Sequence, residues 1–185
     1  MPVVKDLQTK RLILEPWNER WRKEWTSLAS DPAVTRWIGG GETWGRERSE
    51  RQFQHMLDHW HEHGFGWRSA LDRKTRAWLG FIGLNRVPPN DVELGTDEVE
   101  IGWWLKPAVW GRGLASEGAL EVRDEAFDRV KLDRIVSRHH AGNPASGRVM
   151  EKIGMRFELE TIGSQGEPVH IYVLDRRHWL SLRHN

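Results

Sequence analysis

The stretch from Val99 to Lys131 holds the residues best spaced for chemistry. The β-type run VEIGWWL is stopped by Pro107, and the glycine-rich Trp110-Gly111-Arg112-Gly113-Leu114-Ala115 follows, with a helical pattern starting at Ser116. A helix N-terminus reached through glycines presents unpaired backbone N–H groups to an anion. Gly111 and Gly113 let the backbone approach a phosphate closely, and Arg112 adds positive charge. The chemistry so predicted is capture of one phosphorylated ligand; a plain strand-to-helix turn accounts for the same glycines. A P-loop is excluded because no Gly-Lys-Ser/Thr is present, and a dinucleotide fingerprint because Ser116 stands where its third glycine belongs.

Other reactive side chains are sparse. The absence of cysteine removes disulfides, thiolate zinc sites, iron–sulfur clusters and a cysteine nucleophile. Tyr172 is the only phenol, whereas there are 12 tryptophans to line a core, a pocket or an interface. His55, His59 and His63 recur at four-residue spacing, which permits a divalent ion; with no acid interleaved on that stripe, a solvated face is preferred and no metal is assigned. His139 and His140 are adjacent on a strand, point to opposite sides, and receive no role.

The elements that must position these residues follow from periodicity and punctuation. Arg11 to Glu15 is a strand, and Asn18 caps a helix with Trp17, Trp21, Trp25 and Leu28 on its core stripe, ended by Asp31-Pro32. Gly39-Gly40-Gly41 is a joint before a helix from Arg46 to His63 that Gly64 stops. Strands are expected at Phe65 to Leu71 and Trp78 to Leu84 around the turn Asp72-Arg73-Lys74, and a loop over Val87 to Asp97. After strand Val99 to Leu105, a helix runs from Ser116 to Lys131 with Ala119, Val122, Ala126 and Val130 facing a sheet. Arg134 to Arg138 is a strand, and Asn143-Pro144 opens a capped helix that ends at Gly154. Strands Arg156 to Thr161 and Val169 to Leu174 flank the turn Gly163 to Gly166. The result is a mixed α/β domain.

At 185 residues, without repeats or low-complexity tracts, the chain is expected to form one domain over 1–185. It carries 28 Lys+Arg against 27 Asp+Glu, a net charge of +1, too balanced for a nucleic-acid binder. No apolar run reaches the roughly 18 residues that span a bilayer, and Met1 to Lys10 lacks a signal-peptide core, so a cytoplasmic location is expected.

The segments LQTKRLILEPW, SDPAVTRWIGG, EIGWWLKPAVWGRGLASEGAL and NPASGRVMEKIGMRFE, in this order, resemble the GNAT superfamily of N-acetyltransferases, in particular its RimJ/RimL-like branch of ribosomal-protein acetyltransferases. The resemblance covers nearly the whole chain. It implies the GNAT fold: a central mixed sheet of about seven strands, flanked by about four helices and splayed, through a bulge in the strand Val99 to Leu105, into a V-shaped slot for pantetheine. It further implies acetyl-CoA as co-substrate, with the loop Trp110, Gly111, Arg112, Gly113, Leu114, Ala115 and Ser116 cradling the pyrophosphate. Trp103, Trp104 and Leu105 would border the pantetheine arm. Trp110 departs from the family's Gln/Arg, which affects a side-chain contact and leaves the amide cradle intact.

By the same resemblance Glu100 is the general base, acting directly or through water. Strand alternation sets it opposite Val99 and Ile101, with Gly102 and Trp104; Glu98 and Glu93 are weaker rivals. Asn143 would contact pantetheine and Ser146 would lie near the CoA sulfur. Met150 takes the place of a helix tyrosine that serves as general acid in many members, leaving Ser146 first and Tyr172 second for that task. Trp37, Trp44, Trp60 and Trp67 fall in the part that walls the acceptor cleft. The implied reaction is acetyl transfer to a primary amine, either a protein N-terminus such as that of a ribosomal protein or a small molecule: a polyamine, an amino acid or an aminoglycoside. A non-catalytic acyl-CoA sensor is the alternative of a different class. The tryptophan surplus and Trp179-Leu180 leave a homodimer open.

Overall fold

The computed structural model describes residues 4–88, 91, 93–94 and 97–183. Strands β1 (Leu7–Gln8) and β2 (Leu12–Pro16) lead through a 3-10 turn at Glu19–Trp21 to helices α1 (Arg22–Ala29), α2 (Pro32–Thr35) and α3 (Arg46–His63). Then come β3 (Trp67–Asp72), β4 (Trp78–Arg86), β5 (Val99–Leu105), α4 (Leu114–Asp128), β6 (Arg134–His140), α5 (Pro144–Lys152), β7 (Arg156–Ile162), β8 (Pro168–Asp175) and α6 (Arg176–Leu182). All eight strands join one sheet in the order β1-β2-β3-β4-β5-β6-β8-β7.

Among the described residues the sheet therefore has eight strands and the chain six α-helices, where about seven and about four were expected. The additions are short elements that periodicity does not reveal. β1 spans two residues, α2 forms because the Asp31 side chain caps Pro32–Thr35, and Asp175 caps α6. Two boundaries also move. Asn18 caps only the 3-10 turn, and α1 begins afterwards at Arg22. α4 starts at Leu114, directly on Gly113, and ends at Asp128, where Lys131 with φ of 66° turns the chain away. The loop expected over Val87 to Asp97 lies partly outside the described residues.

Apolar side chains bury both faces of the sheet. Leu12, Leu14, Ile82, Leu84 and Ile101 meet Ala119, Val122, Ala126 and Phe127 of α4, with Trp179 of α6 beside them. On the other face, Trp17, Trp25, Phe53, Met56 and Phe81 form the aromatic core under α1 and α3. Most of the tryptophan stripe read from the sequence is spent here, Trp25 being 1% exposed. A buried ion pair crosses the first layer: Arg68 of β3 donates to both oxygens of Glu125 in α4 at 2.8 and 2.5 Å, and to the Leu14 carbonyl at 3.0 Å.

The sheet divides between β5 and β6. β4 and β5 stay in antiparallel register from Arg86↔Val99 to Gly80↔Leu105, and β6 and β8 from Arg134↔Asp175 to His140↔Val169. The parallel contact of β5 with β6 is a single pair, Glu100↔Val136, after which Ser137 Oγ donates to the Ile101 carbonyl at 2.7 Å. Beyond that hydroxyl the strands part. The splay is present, but no bulge interrupts β5; the register shifts lie between β3 and β4 and between β7 and β8. Each strand follows its own antiparallel partner, and the fork opens between the two ladders.

Candidate active site

A cavity of about 510 Å³ lies where the fork meets the N-terminus of α4. Its walls include Trp103, Trp104 and Leu105 of β5, the loop residues Trp110, Gly111, Gly113, Leu114, Ala115 and Ser116, and Asn143 and Ser146 of the α5 N-terminus. Gly111 and Gly113 have φ of 72° and 76°, left-handed values that a side chain would strain. Gly113 occupies the N-cap and offers no side-chain bond, so the first amides of α4 are left for a ligand.

Arg112 departs from expectation. It is exposed and absent from the cavity wall, and its carbonyl accepts a hydrogen bond from Arg11 Nη1 at 2.8 Å. Arg11 in turn is fixed by Glu117 of α4, which accepts from the Arg11 backbone N–H at 2.7 Å, from its Nε at 2.6 Å and from Thr9 Oγ1 at 2.5 Å. Burial pushes the Glu117 carboxyl up, but these donors outweigh it and hold it below the usual range. The turn between β1 and β2 thus clamps the glycine loop.

The cations on this wall are Arg148 and Lys152, four apart on α5, with no ion-pair partner among the described residues. Sequence reading missed them, although an i,i+4 basic pair on a helix capped beside the fork was a usable signal. Trp110 spends its indole N–H on the Leu105 carbonyl at 2.7 Å, which ties the loop to the end of β5.

A second cavity of about 630 Å³ shares Trp37, Ile38, Trp103, Trp104, Asn143 and Ser146 with the first, so the two meet at the fork. Glu100 lines it and pairs with Arg138 of β6 at 3.2 Å. Arg138 also holds Asp91 at 2.9 Å and Glu93 at 3.0 Å. Burial raises the Glu100 carboxyl above its ordinary value against the opposing pull of Arg138. Asp91 is also pushed up by burial, yet the Leu94 N–H and Arg138 bring it below its ordinary value. Four carboxylates, Asp91, Glu93, Glu100 and Glu167, face two guanidinium groups, Arg138 and Arg48, on this wall. Arg48 lies over the Trp44 ring at 4.1 Å. Glu98 is engaged elsewhere, by Arg134 at 3.3 Å.

Trp37, Trp44 and Trp67 line the second cavity. Trp60 does not: it is buried and donates from Nε1 to the Trp67 carbonyl at 2.6 Å. Asn143 caps α5 through Oδ1 to the Ser146 N–H, and its amide also reaches Ser146 Oγ at 3.4 Å, so part of that amide serves its own helix. Ser146 stands at the junction of the cavities. Tyr172 is on neither wall; burial, then the Glu151 carboxylate, raise its phenol. Within the histidine stripe, the His59 ring is 4% exposed, with Nδ1 2.9 Å from the Phe65 carbonyl and Nε2 accepting from the Arg86 N–H at 2.9 Å. Burial lowers its pKa to about 4, and both nitrogens are used within the fold.

Free amides at a helix N-terminus, two unpaired cations and an open sheet edge fit a diphosphate joined to an amide-bearing arm. The comparisons with known proteins agree. The model of the acetyltransferase (GNAT) domain matches residues 11–156, and the chain belongs to the GNAT acetyltransferase family. It is similar to YkkB of Bacillus subtilis, with 31% identity over 151 residues, 78% of this chain and 80% of that protein. The FsC-acetyl coenzyme A-N(2)-transacetylase of Aspergillus fumigatus is 26% identical over 189 residues, 96% of this chain and 79% of its own. A solved acetyltransferase from Agrobacterium tumefaciens superposes with a TM-score of 0.76 at 30% identity, covering 91% of this chain and 94% of that one. Two more distant structures share the fold. RimL, a ribosomal alpha-N-protein acetyltransferase in complex with coenzyme A, gives a TM-score of 0.72 at 17% identity over 92% of this chain and 98% of its own. Spermidine N-acetyltransferase from Vibrio cholerae, in complex with CoA and spermine, gives 0.74 at 14% identity over 91% and 98%. The activity is N-acetyl transfer from acetyl-CoA.

Proposed function

We propose that the first cavity holds acetyl-CoA, that the second receives a primary amine as its cation, and that the acetyl group passes between them at the fork. The observation that carries this reading is the meeting of the two cavities at Ser146 and the Trp103–Trp104 edge, with Glu100 on the acceptor side. The amides from Gly111 to Ser116, with Arg148 and Lys152, would hold the diphosphate. Trp110 and Asn143 would flank the arm, which pairs with the open backbone from Trp103 to Leu105. A main-chain N–H on that edge stabilises the thioester oxyanion as the amine attacks. Glu100, directly or through water, removes the ammonium proton, and Ser146 donates a hydrogen bond to the departing sulfur.

The excess of carboxylates between tryptophan walls favours a cationic acceptor. A cavity of about 630 Å³ suits a small amine such as a polyamine. The RimJ/RimL-like motifs, with the RimL fold likeness, favour the N-terminal amine of a protein. Thiol release from acetyl-CoA in the presence of spermidine, or of peptides with a free N-terminus, separates the two. Glu100→Gln is expected to lower kcat by about 100-fold on the accepted amine and leave acetyl-CoA affinity unchanged. A fully active variant would remove Glu100 as the base.

A further inference from the structure

In the sequence Arg11 only opens a strand, yet in the fold its side chain reaches the peptide that leads into α4. It lies in the turn between β1 and β2, and that turn is held from both sides. Arg73, in the turn between β3 and β4, donates its N–H to the Arg11 carbonyl at 2.8 Å and its Nη1 to the Thr9 carbonyl at 2.8 Å. Glu117, in the first turn of α4, accepts from the Arg11 N–H at 2.7 Å and from Nε at 2.6 Å. With its backbone and Nε so fixed, the guanidinium presents Nη1 to the Arg112 carbonyl at 2.8 Å. Nη2 stands 3.6 Å from where a Cβ on residue 113 would lie. Gly113 is on the wall of the first cavity, whereas Arg112 and Arg11 are not. The Gly113 N–H has no backbone partner among the described residues.

We propose that Arg11 is a positioning residue for the donor: by holding the Arg112 carbonyl it keeps the Gly113 N–H turned to the diphosphate of acetyl-CoA. A trans peptide points its C=O and N–H in opposite directions, and the chain has no cis peptide among the described residues. A bond that fixes the Arg112 carbonyl therefore fixes the Gly113 N–H as well, on the side away from Arg11. The orientation needs fixing because the next residue is glycine, for which both signs of φ are open, so this peptide turns over easily. Turned over, it sets a carbonyl oxygen where the N–H stood, and that oxygen repels a phosphate. The clamp thus selects one of two arrangements before the ligand arrives, which spares the ligand the cost of ordering the loop. A second effect has the same sign. Glu117 puts a negative charge in the first turn of the helix whose N-terminus meets the diphosphate, and the Arg11 guanidinium offsets it.

This inference rests on reading the first cavity as the acetyl-CoA site, and the test separates the two. Arg11→Lys keeps the charge beside Glu117, but a single ammonium lacks the planar fork that serves Glu117 and the Arg112 carbonyl together. Arg11→Gln loses the charge as well. The Arg11 side chain is 42% exposed, so both variants are expected to fold, and Arg11→Lys decides the matter if Arg11→Gln does not. By calorimetry the acetyl-CoA Kd should rise about tenfold in Arg11→Lys and further in Arg11→Gln. S-acetylpantetheine has the thioester and the arm but no diphosphate. Measured as a competitor of acetyl-CoA, its own Kd should stay within about twofold of wild type in both variants, a selectivity that general damage to the fold would not produce. An acetyl-CoA Kd within about twofold of wild type in Arg11→Lys overturns the proposal, and so does an equal weakening of S-acetylpantetheine. If the unaltered protein binds no acetyl-CoA, the donor-site reading falls and takes the role of Arg11 with it. If it binds and the variants bind equally well, the donor site stands and only the role of Arg11 falls.

Discussion

Gly113 carries two constraints at once, a left-handed φ of 76° and an N-cap without a side chain. Gly113→Asp adds backbone strain of about 1 kcal/mol and a negative charge against the expected diphosphate. Acetyl-CoA affinity should fall by tenfold or more, read from quenching of the tryptophans on the cavity wall; an unchanged Kd would remove the loop from the binding site. At Glu100 the charge balance sets a pH dependence. Burial raises this carboxyl while Arg138 opposes the rise, and the base must be ionised, so kcat/KM should fall with decreasing pH at a value above that of a free glutamate. Arg138→Gln leaves Asp91, Glu93 and Glu100 without their shared cation, which should move that acid limb further up. A limb that moves down contradicts the assignment.

The elements were legible where periodicity and punctuation agree, as in α3, whose observed bounds Arg46–His63 match the pattern stopped by Gly64, and in β5 at Val99–Leu105. β1, α2 and α6 were not, because two to seven residues hold too few periods and their caps satisfy local hydrogen bonds without an amphipathic run. Motif resemblance points to the glycine loop, Ser146 and Glu100, which line the two cavities. It does not point to Arg138, whose partner Glu100 is 38 residues away, and the two meet only when β6 lies beside β5. Two cross-element contacts yield tests. Arg68→Met removes one half of a buried pair between β3 and α4, leaving Glu125 without its main partner, and should cost about 3 kcal/mol in urea unfolding; a loss below about 1 kcal/mol would mean that Arg129 suffices. His59 joins α3, the Phe65 carbonyl and β4, and its pKa of about 4 lies below the unfolded value of 6.5. Between those values the unfolded chain binds more protons, so this stability is fully present above pH 6.5 and is lost as the pH falls towards 4, by on the order of 3 kcal/mol. His59→Gln should flatten that dependence in denaturant titrations, and an equally steep dependence in the variant would contradict the structural role.

At the scale of the molecule, function follows from one sheet that obeys two antiparallel ladders and opens where they diverge. The fork joins a cavity with helix amides and basic side chains to one with tryptophans and carboxylates, and only the junction is common to both. Because the first cavity is complete without an acceptor, acetyl-CoA should bind before any amine is present. The most direct measurement is calorimetric titration of the protein with acetyl-CoA, and with CoA for comparison, in the absence of an amine. The geometry predicts one-to-one binding of both; no detectable binding of either would mean that the chain keeps the fold without its donor site.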